Sequence, residues 1–248
     1  MKRLSLVLIS SVAFMFAACG DSGNTASPQS NDNMPEGFSG QYVEGIEGGY
    51  VEVTPPKSSS SVAVPDVIGN ILTDSRDGQT YRVVTIGNQM WMAQNLNYHN
   101  SQLTANSYCY DLKASNCAKY GRLYTLHAAS WACPDGWRLP TKDHFEMLFT
   151  AVGGQSTAGK MLKSTSGWSD GGNGTDAYSF SALPAGFLGR NGEFSGDGTS
   201  TYFLTSTMRN VNYAYYVRLN YNDAKANLDF GGVSPSSNGL SVRCVKNQ

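Results

Sequence analysis

Residues 133–149 read CPDGWRLPTKDHFEMLF, and the order of turn, extended and helix signals inside them sets the fold class. Pro134-Asp135-Gly136 forces a turn, and Trp137 to Leu139 is a short extended piece, because a residue before proline is biased away from helix. Trp137 and Leu139 are expected in the core. Thr141 is placed to cap a helix on which Phe145, Leu148, Phe149 and Val152 fall at i, i+3, i+4 and i+7, and Gly153-Gly154 stops it. Upstream, GRLYTLHAASWAC (121–133) spaces Leu123, Leu126, His127, Ser130 and Trp131 as on one helix face, ending at Cys133.

Outward from these two helices the pattern changes to strands. An alternating run from Gln79 to Ile86, the turn-forming pair Gly87-Asn88 and an apolar run through Trp91 and Met92 predict a β-hairpin. Beyond Gly167, SFSALPAGFLG, STYFLTSTM, NYAYYVRLNY and GLSVRCVK read as strand or loop-strand pieces separated by Gly, Asn and Ser. Two early helices and mostly antiparallel strands joined by long loops make an α+β domain.

The five cysteines divide as one plus four: Cys19 near the N-terminus, and Cys109, Cys117, Cys133 and Cys244 in the domain. Four cysteines allow three pairings. The short Cys109-to-Cys117 loop suggests a local clip, which leaves Cys133 for Cys244. No Cys-x-x-Cys pair occurs, and His99, His127 and His144 lack metal-ligand spacing.

The N-terminus carries an export signal: Lys2 and Arg3 precede an apolar run from Leu4 to Ala18, too short to span a membrane, that ends at Cys19. The preceding residues resemble a bacterial lipoprotein signal, with Phe16 where leucine is usual, which implies lipidation of Cys19. The alternative is an ordinary secretory signal cut near Ala18. Gly20 rather than aspartate after the cysteine points to the outer membrane. Without Lys2 and Arg3 the 18 basic residues become 16 against 19 acidic ones, a formal balance of −3 that gives no reason to expect a nucleic-acid partner. The chain thus reads as a signal peptide (1–18), a Ser/Pro/Gly-rich tether (19–65) and one domain (66–248). Two Tyr-Val-Glu pieces within the tether are compatible with a hairpin, but disorder or loose association is the preferred reading.

Over nearly all of residues 70–248 the ordered series DSRDGQTYRVVTIGNQMWMAQNLNY, SYCYDLKASNCAKYGRLYT, CPDGWRLPTKDHFEMLF, GWSDGGNGTDAYSFSALPAGF and SVRCVKN resembles the Fibrobacter succinogenes major paralogous domain. His144 and Phe145 stand where that family tends to have Glu and Trp, which weakens the expected capping box. The helices and the Cys-terminated last strand also look like the C-type lectin and formylglycine-generating-enzyme fold group. That likeness implies a C-type-lectin-like fold and supports a Cys133–Cys244 bridge. It supplies no function, because one scaffold serves different tasks.

For chemistry, no nucleophile-base pair or convergent carboxylates can be named; His127 reads as a packing or hydrogen-bonded residue and His144 as exposed. Formylglycine-generating enzymes use a late reactive cysteine pair, whereas Cys244 is alone in that region. The lectin family's Glu-Pro-Asn or Gln-Pro-Asp tripeptides are absent, and no cofactor is expected, although Asp170, Asn173 and Asp176 in a Gly-rich loop are candidate oxygen ligands for calcium. Aromatic rings offer another route to sugars, and Trp168, Tyr202, Tyr216 and Arg218 are the candidates for a surface platform, with packing as the more usual role for each. Asp74, Arg76 and Asp77 form a charge cluster at a turn, where Arg76 is expected to clamp a neighbouring loop. The expectation is a lipid-anchored, non-enzymatic envelope module that binds polysaccharide or a cell-surface protein. A formylglycine-generating or hydrolytic enzyme and a purely structural envelope protein are the alternatives.

Overall fold

The computed structural model describes residues 42–44, 50–52, 67–68, 70–99, 106–231 and 237–247. Cys19, the signal segment and the serine run lie outside them. The chain divides into two compact units, Met1–Ser59 and Ser60–Gln248. In the first, β1 (Tyr42–Glu44) pairs antiparallel with β2 (Tyr50–Glu52), Val43 opposite Val51. The two Tyr-Val-Glu pieces thus take the hairpin reading that the sequence left open, since both have strand-forming Tyr-Val sequences and match each other in register.

The second unit is α+β. Strands β3 (Val67–Ile68), β4 (Ile71–Thr73), β5 (Thr80–Ile86) and β6 (Gln89–Met92) form an antiparallel meander, with the turn at Gly87-Asn88. Then follow β7 (Ser107–Tyr108), α1 (Ala114–Tyr120), β8 (Leu123–Tyr124), α2 (Leu126–Ala132), β9 (Trp137–Arg138), α3 (Lys142–Ala151) and α4 (Gln155–Leu162). The later part supplies β10 (Ala185–Leu188), β11 (Phe194–Asp197), the long β12 (Ser200–Asn210), β13 (Tyr213–Asn220), β14 (Asn227–Phe230), β15 (Leu240–Ser241) and β16 (Val245–Lys246). One sheet runs β3-β4-β5-β6-β16-β9. The other runs β11-β10-β12-β15-β8-β7, with β13 and β14 added beside β12. Pairing is mostly antiparallel; β12 runs parallel to both β10 and β15.

Residues 133–149 build as read. The Trp137 N–H closes the turn on the Pro134 carbonyl at 2.9 Å, Gly136 takes the left-handed conformation, and Trp137 and Leu139 are buried. Phe145, Leu148, Phe149 and Val152 all face the core, where Phe145 lies 5.0 Å from Trp91. The Thr141 hydroxyl accepts the His144 N–H at 3.2 Å, and His144 Nδ1 accepts the Thr141 N–H at 3.0 Å. His144 is therefore half-buried and completes the capping box, rather than standing exposed.

Two corrections concern the earlier helix. It starts at Leu126, capped by Thr125, while Leu123 belongs to β8. The buried face is consequently Leu126, Ala128, Ala129 and Ala132; Trp131 is 77% exposed, and His127 is exposed rather than packed. Among the described residues four α-helices stand where two were expected, since α1 and α4 were not anticipated. Disulfides join Cys109 to Cys117 and Cys133 to Cys244, with Cα atoms 4.8 and 5.9 Å apart. Arg76 chelates the buried Asp74 carboxylate at 2.8 and 2.6 Å and donates to the Ala132 and Cys133 carbonyls, clamping the end of α2 as expected.

Candidate functional site: an aromatic sheet face

The register of β12, β13 and β14 places residues opposite one another on a shared face: Tyr202 against Arg218, Leu204 against Tyr216, and Tyr216 against Asp229. The Tyr202 and Tyr216 rings are diagonal neighbours, 5.8 Å apart. On the other side of Tyr202, Phe187 from β10 approaches to 4.7 Å. All three rings are half-buried: they pack on the core cluster that holds Leu204 and Ala214, and part of each reaches solvent. Arg218 Nη2 lies 3.3 Å from the Asp229 carboxylate, while its buried Nε–H has no protein acceptor. Burial pushes the Tyr216 phenol above its usual pKa, with Asp229 adding to the effect, so it stays a neutral hydroxyl at ordinary pH. The arrangement offers ring faces, a hydroxyl donor and a guanidinium beside a carboxylate. Such groups can stack on an apolar face and hydrogen-bond at its edge.

Three of the four platform candidates, Tyr202, Tyr216 and Arg218, thus come together. Trp168 does not. It is 5% exposed, and its indole N–H sits 3.1 Å from both the Ser164 hydroxyl and the Ala182 carbonyl. It takes the packing role that was the alternative to the platform, because a Trp whose N–H finds internal partners can be buried without leaving a donor unpaired. The calcium candidates serve the loop itself: Asn173 Oδ1 accepts the Trp168 N–H at 3.0 Å, and Asp176 accepts the Ser181 N–H and hydroxyl at 2.7 and 2.6 Å. Asp170 sits exposed in a 3-10 turn. Among the described residues, no three His, Cys, Asp or Glu side chains group so as to hold a metal ion.

Side chains not anticipated from the sequence also shape this region. Phe187 stands in the piece SFSALPAGFLG, read only as a strand, and Asp229 lies on β14, which was not anticipated. Lys163, 3% exposed, donates to the Asn220, Tyr221 and Asp223 carbonyls at 2.8, 3.1 and 3.1 Å and lies 5.0 Å from the Trp168 ring. It ties the Gly-rich loop to the β13–β14 connection, and burial lowers its pKa. His99 Nδ1 is 3.4 Å from the Ser107 hydroxyl, but Ser107 is 2% exposed and already accepts Arg122 Nε–H at 3.1 Å, so its oxygen is not open to a substrate.

These features define an α+β domain closed by two disulfides, with a half-buried aromatic face on its larger sheet. The chain belongs to the Fibrobacter succinogenes major domain family, whose model matches residues 84–246. No curated protein and no solved structure matches the chain.

Proposed function

We propose that this protein is a lipid-anchored envelope protein, held through Cys19 at the outer membrane, whose domain is a non-enzymatic binding module for polysaccharide. The observation that carries the reading is the run of rings Phe187, Tyr202 and Tyr216 beside the Arg218–Asp229 pair. Successive ring faces suit successive pyranose units, because sugar C–H faces pack on aromatic surface while hydroxyls take the polar groups at its edge. A tether spanning residues 19–65 would carry the domain away from the lipid surface. The C-type-lectin-like assignment belongs to the same proposal. It is supported by the terminal strand β16 lying between β6 and β9, and by the bridge from the end of α2 to Cys244.

The test is retention of the full chain on insoluble plant and bacterial polysaccharides and on a glycan array. Tyr202→Ala and Tyr216→Ala are each expected to weaken retention about tenfold, since a ring stacking contact contributes on the order of 1 kcal/mol beyond area burial. EDTA is expected to leave retention unchanged, because Asn173 and Asp176 spend their oxygens on the chain's own donors. Absence of retention on every glycan, or full retention by both variants, overturns the reading.

A further inference from the structure

Between the β5–β6 meander, the Cys109–Cys117 loop and the last residues of the domain lies a cavity of about 280 Å³, away from the aromatic face. Arg82, Gln94, Asn95, Asn97, Lys119 and Arg243 contribute to its lining. Arg243 is the unusual member. It is 1% exposed, and its guanidinium donates to Asn95 Oδ1 at 2.6 Å, to the Met92 carbonyl at 3.2 Å, to the Phe180 carbonyl, and to the Ser181 carbonyl at 2.9 Å. Every one of those acceptors is neutral. Of its five N–H groups, four are used, which leaves one on Nη2.

Among the described residues no carboxylate hydrogen-bonds this buried guanidinium, which is a costly arrangement that the Phe180 and Phe203 rings, 4.6 and 5.6 Å away, and the charge of Asp176 offset only in part. Burial, with the charge of Arg82 adding to it and that of Asp176 opposing, pulls the Arg243 pKa down to about 9, so Arg243 remains a cation at neutral pH. Lys119 brings a third positive charge to the wall. The amides make a second, different demand. Asn97 Nδ2 donates to Gln79 Oε1 at 3.1 Å, but the buried Asn97 Oδ1 meets no donor among the described residues. An unpaired buried carbonyl oxygen calls for an O–H or N–H from a ligand.

We propose that this cavity is a binding site for a single uronic acid residue, free or at the end of an acidic polysaccharide. The carboxylate meets the positive charge of Arg82, Lys119 and Arg243, and a ring hydroxyl donates to Asn97 Oδ1. The volume suits one sugar ring, below the range that holds drug-sized ligands. The site goes beyond the aromatic face and does not depend on it.

Calorimetric titration of the full chain with D-glucuronate, D-galacturonate, D-glucose, acetate and sulfate tests the assignment. A uronate is expected to bind at least about tenfold more tightly than glucose and than either simple anion, and the gain is expected to shrink at high salt. Arg243 holds the fold together, so the variants avoid it: Arg82→Ala with Lys119→Ala is expected to weaken uronate binding about tenfold or more while leaving the melting temperature near that of the parent. Tyr216→Ala is expected to bind uronate unchanged, which separates this site from the aromatic face. Absence of uronate binding, glucose binding equally well, or an unaffected double variant overturns the proposal. Acetate or sulfate binding as tightly as uronate overturns the sugar assignment, since it marks an anion hole alone.

Discussion

His144 completes the capping box of α3 with a ring nitrogen in place of a carboxylate or amide oxygen. Its Nδ1 accepts the Thr141 N–H at 3.0 Å and lies 2.8 Å from the Thr141 hydroxyl, so that nitrogen must be unprotonated. Burial, with Arg138 adding to it and Asp143 opposing, lowers the His144 pKa below its ordinary 6.5. A depressed folded value means that the fold prefers the neutral ring. The stability contributed is fully present above the unfolded pKa and is lost as pH falls through the lower folded one. The melting temperature is therefore expected to drop between about pH 7 and pH 5, and His144→Gln, whose amide oxygen can accept the same bond, is expected to lose part of that drop. His99, whose pKa burial also lowers, accounts for a remainder. Identical pH profiles for parent and variant would remove His144 from the account.

Among the elements, α2 shows how a short helix is held from outside itself. Its seven residues start on the Thr125 cap, and its last carbonyls receive Arg76 from a distant turn. Arg76 also neutralises Asp74, whose side chain is fully buried, and stacks 3.7 Å above the Tyr98 ring. Arg76→Ala would strip a buried carboxylate of its partner and is expected to cost about 3 kcal/mol in urea unfolding. Arg76→Lys is expected to recover little, because an ammonium cannot bridge both carboxylate oxygens and the helix end at once. A change of only a few tenths of a kcal/mol would show that water already serves Asp74. The same helix marks the limit of reading the sequence. Spacing the face from Leu123 put Trp131 inward, whereas Thr125 starts the helix later and the inward surface is largely alanine, which carries little periodic signal. Helix α4 was hidden by Gly159, a residue that normally argues against helix; here an added Cβ would run into the Lys225 carbonyl, so close packing requires it. By contrast, Thr141, the Phe145 to Val152 face and the Gly87-Asn88 turn are local signals, and each was legible. Tyr202, Tyr216 and Arg218 were legible as candidates, while Phe187 reaches them only through the parallel pairing of β10 with β12, which no local pattern encodes.

On the scale of the whole molecule, the order of segments leaves the last strand far in sequence from the elements it completes. Strand β16 inserts between β6 and β9; α1 and α2 lie between those two partners in sequence, and α3, α4 and the later strands of the larger sheet lie between β9 and β16. Cys244, fully buried, is joined to Cys133 across 111 residues, whereas Cys109 and Cys117 are 8 apart. If a bridge acts chiefly by restricting the unfolded chain, the long loop contributes about 5 kcal/mol and the short one about 2.5 kcal/mol. The double variant Cys133→Ser with Cys244→Ser is thus expected to lose about twice the unfolding free energy lost by Cys109→Ser with Cys117→Ser, measured in urea with both proteins folded at the start. Cys117 and Cys244 are both buried, so each double variant leaves a serine hydroxyl in the interior and the expected ratio rests on loop length. Equal losses would mean that the long bridge restricts little, and that β16 is held by its pairing with Trp91 and Arg138 rather than by the covalent link.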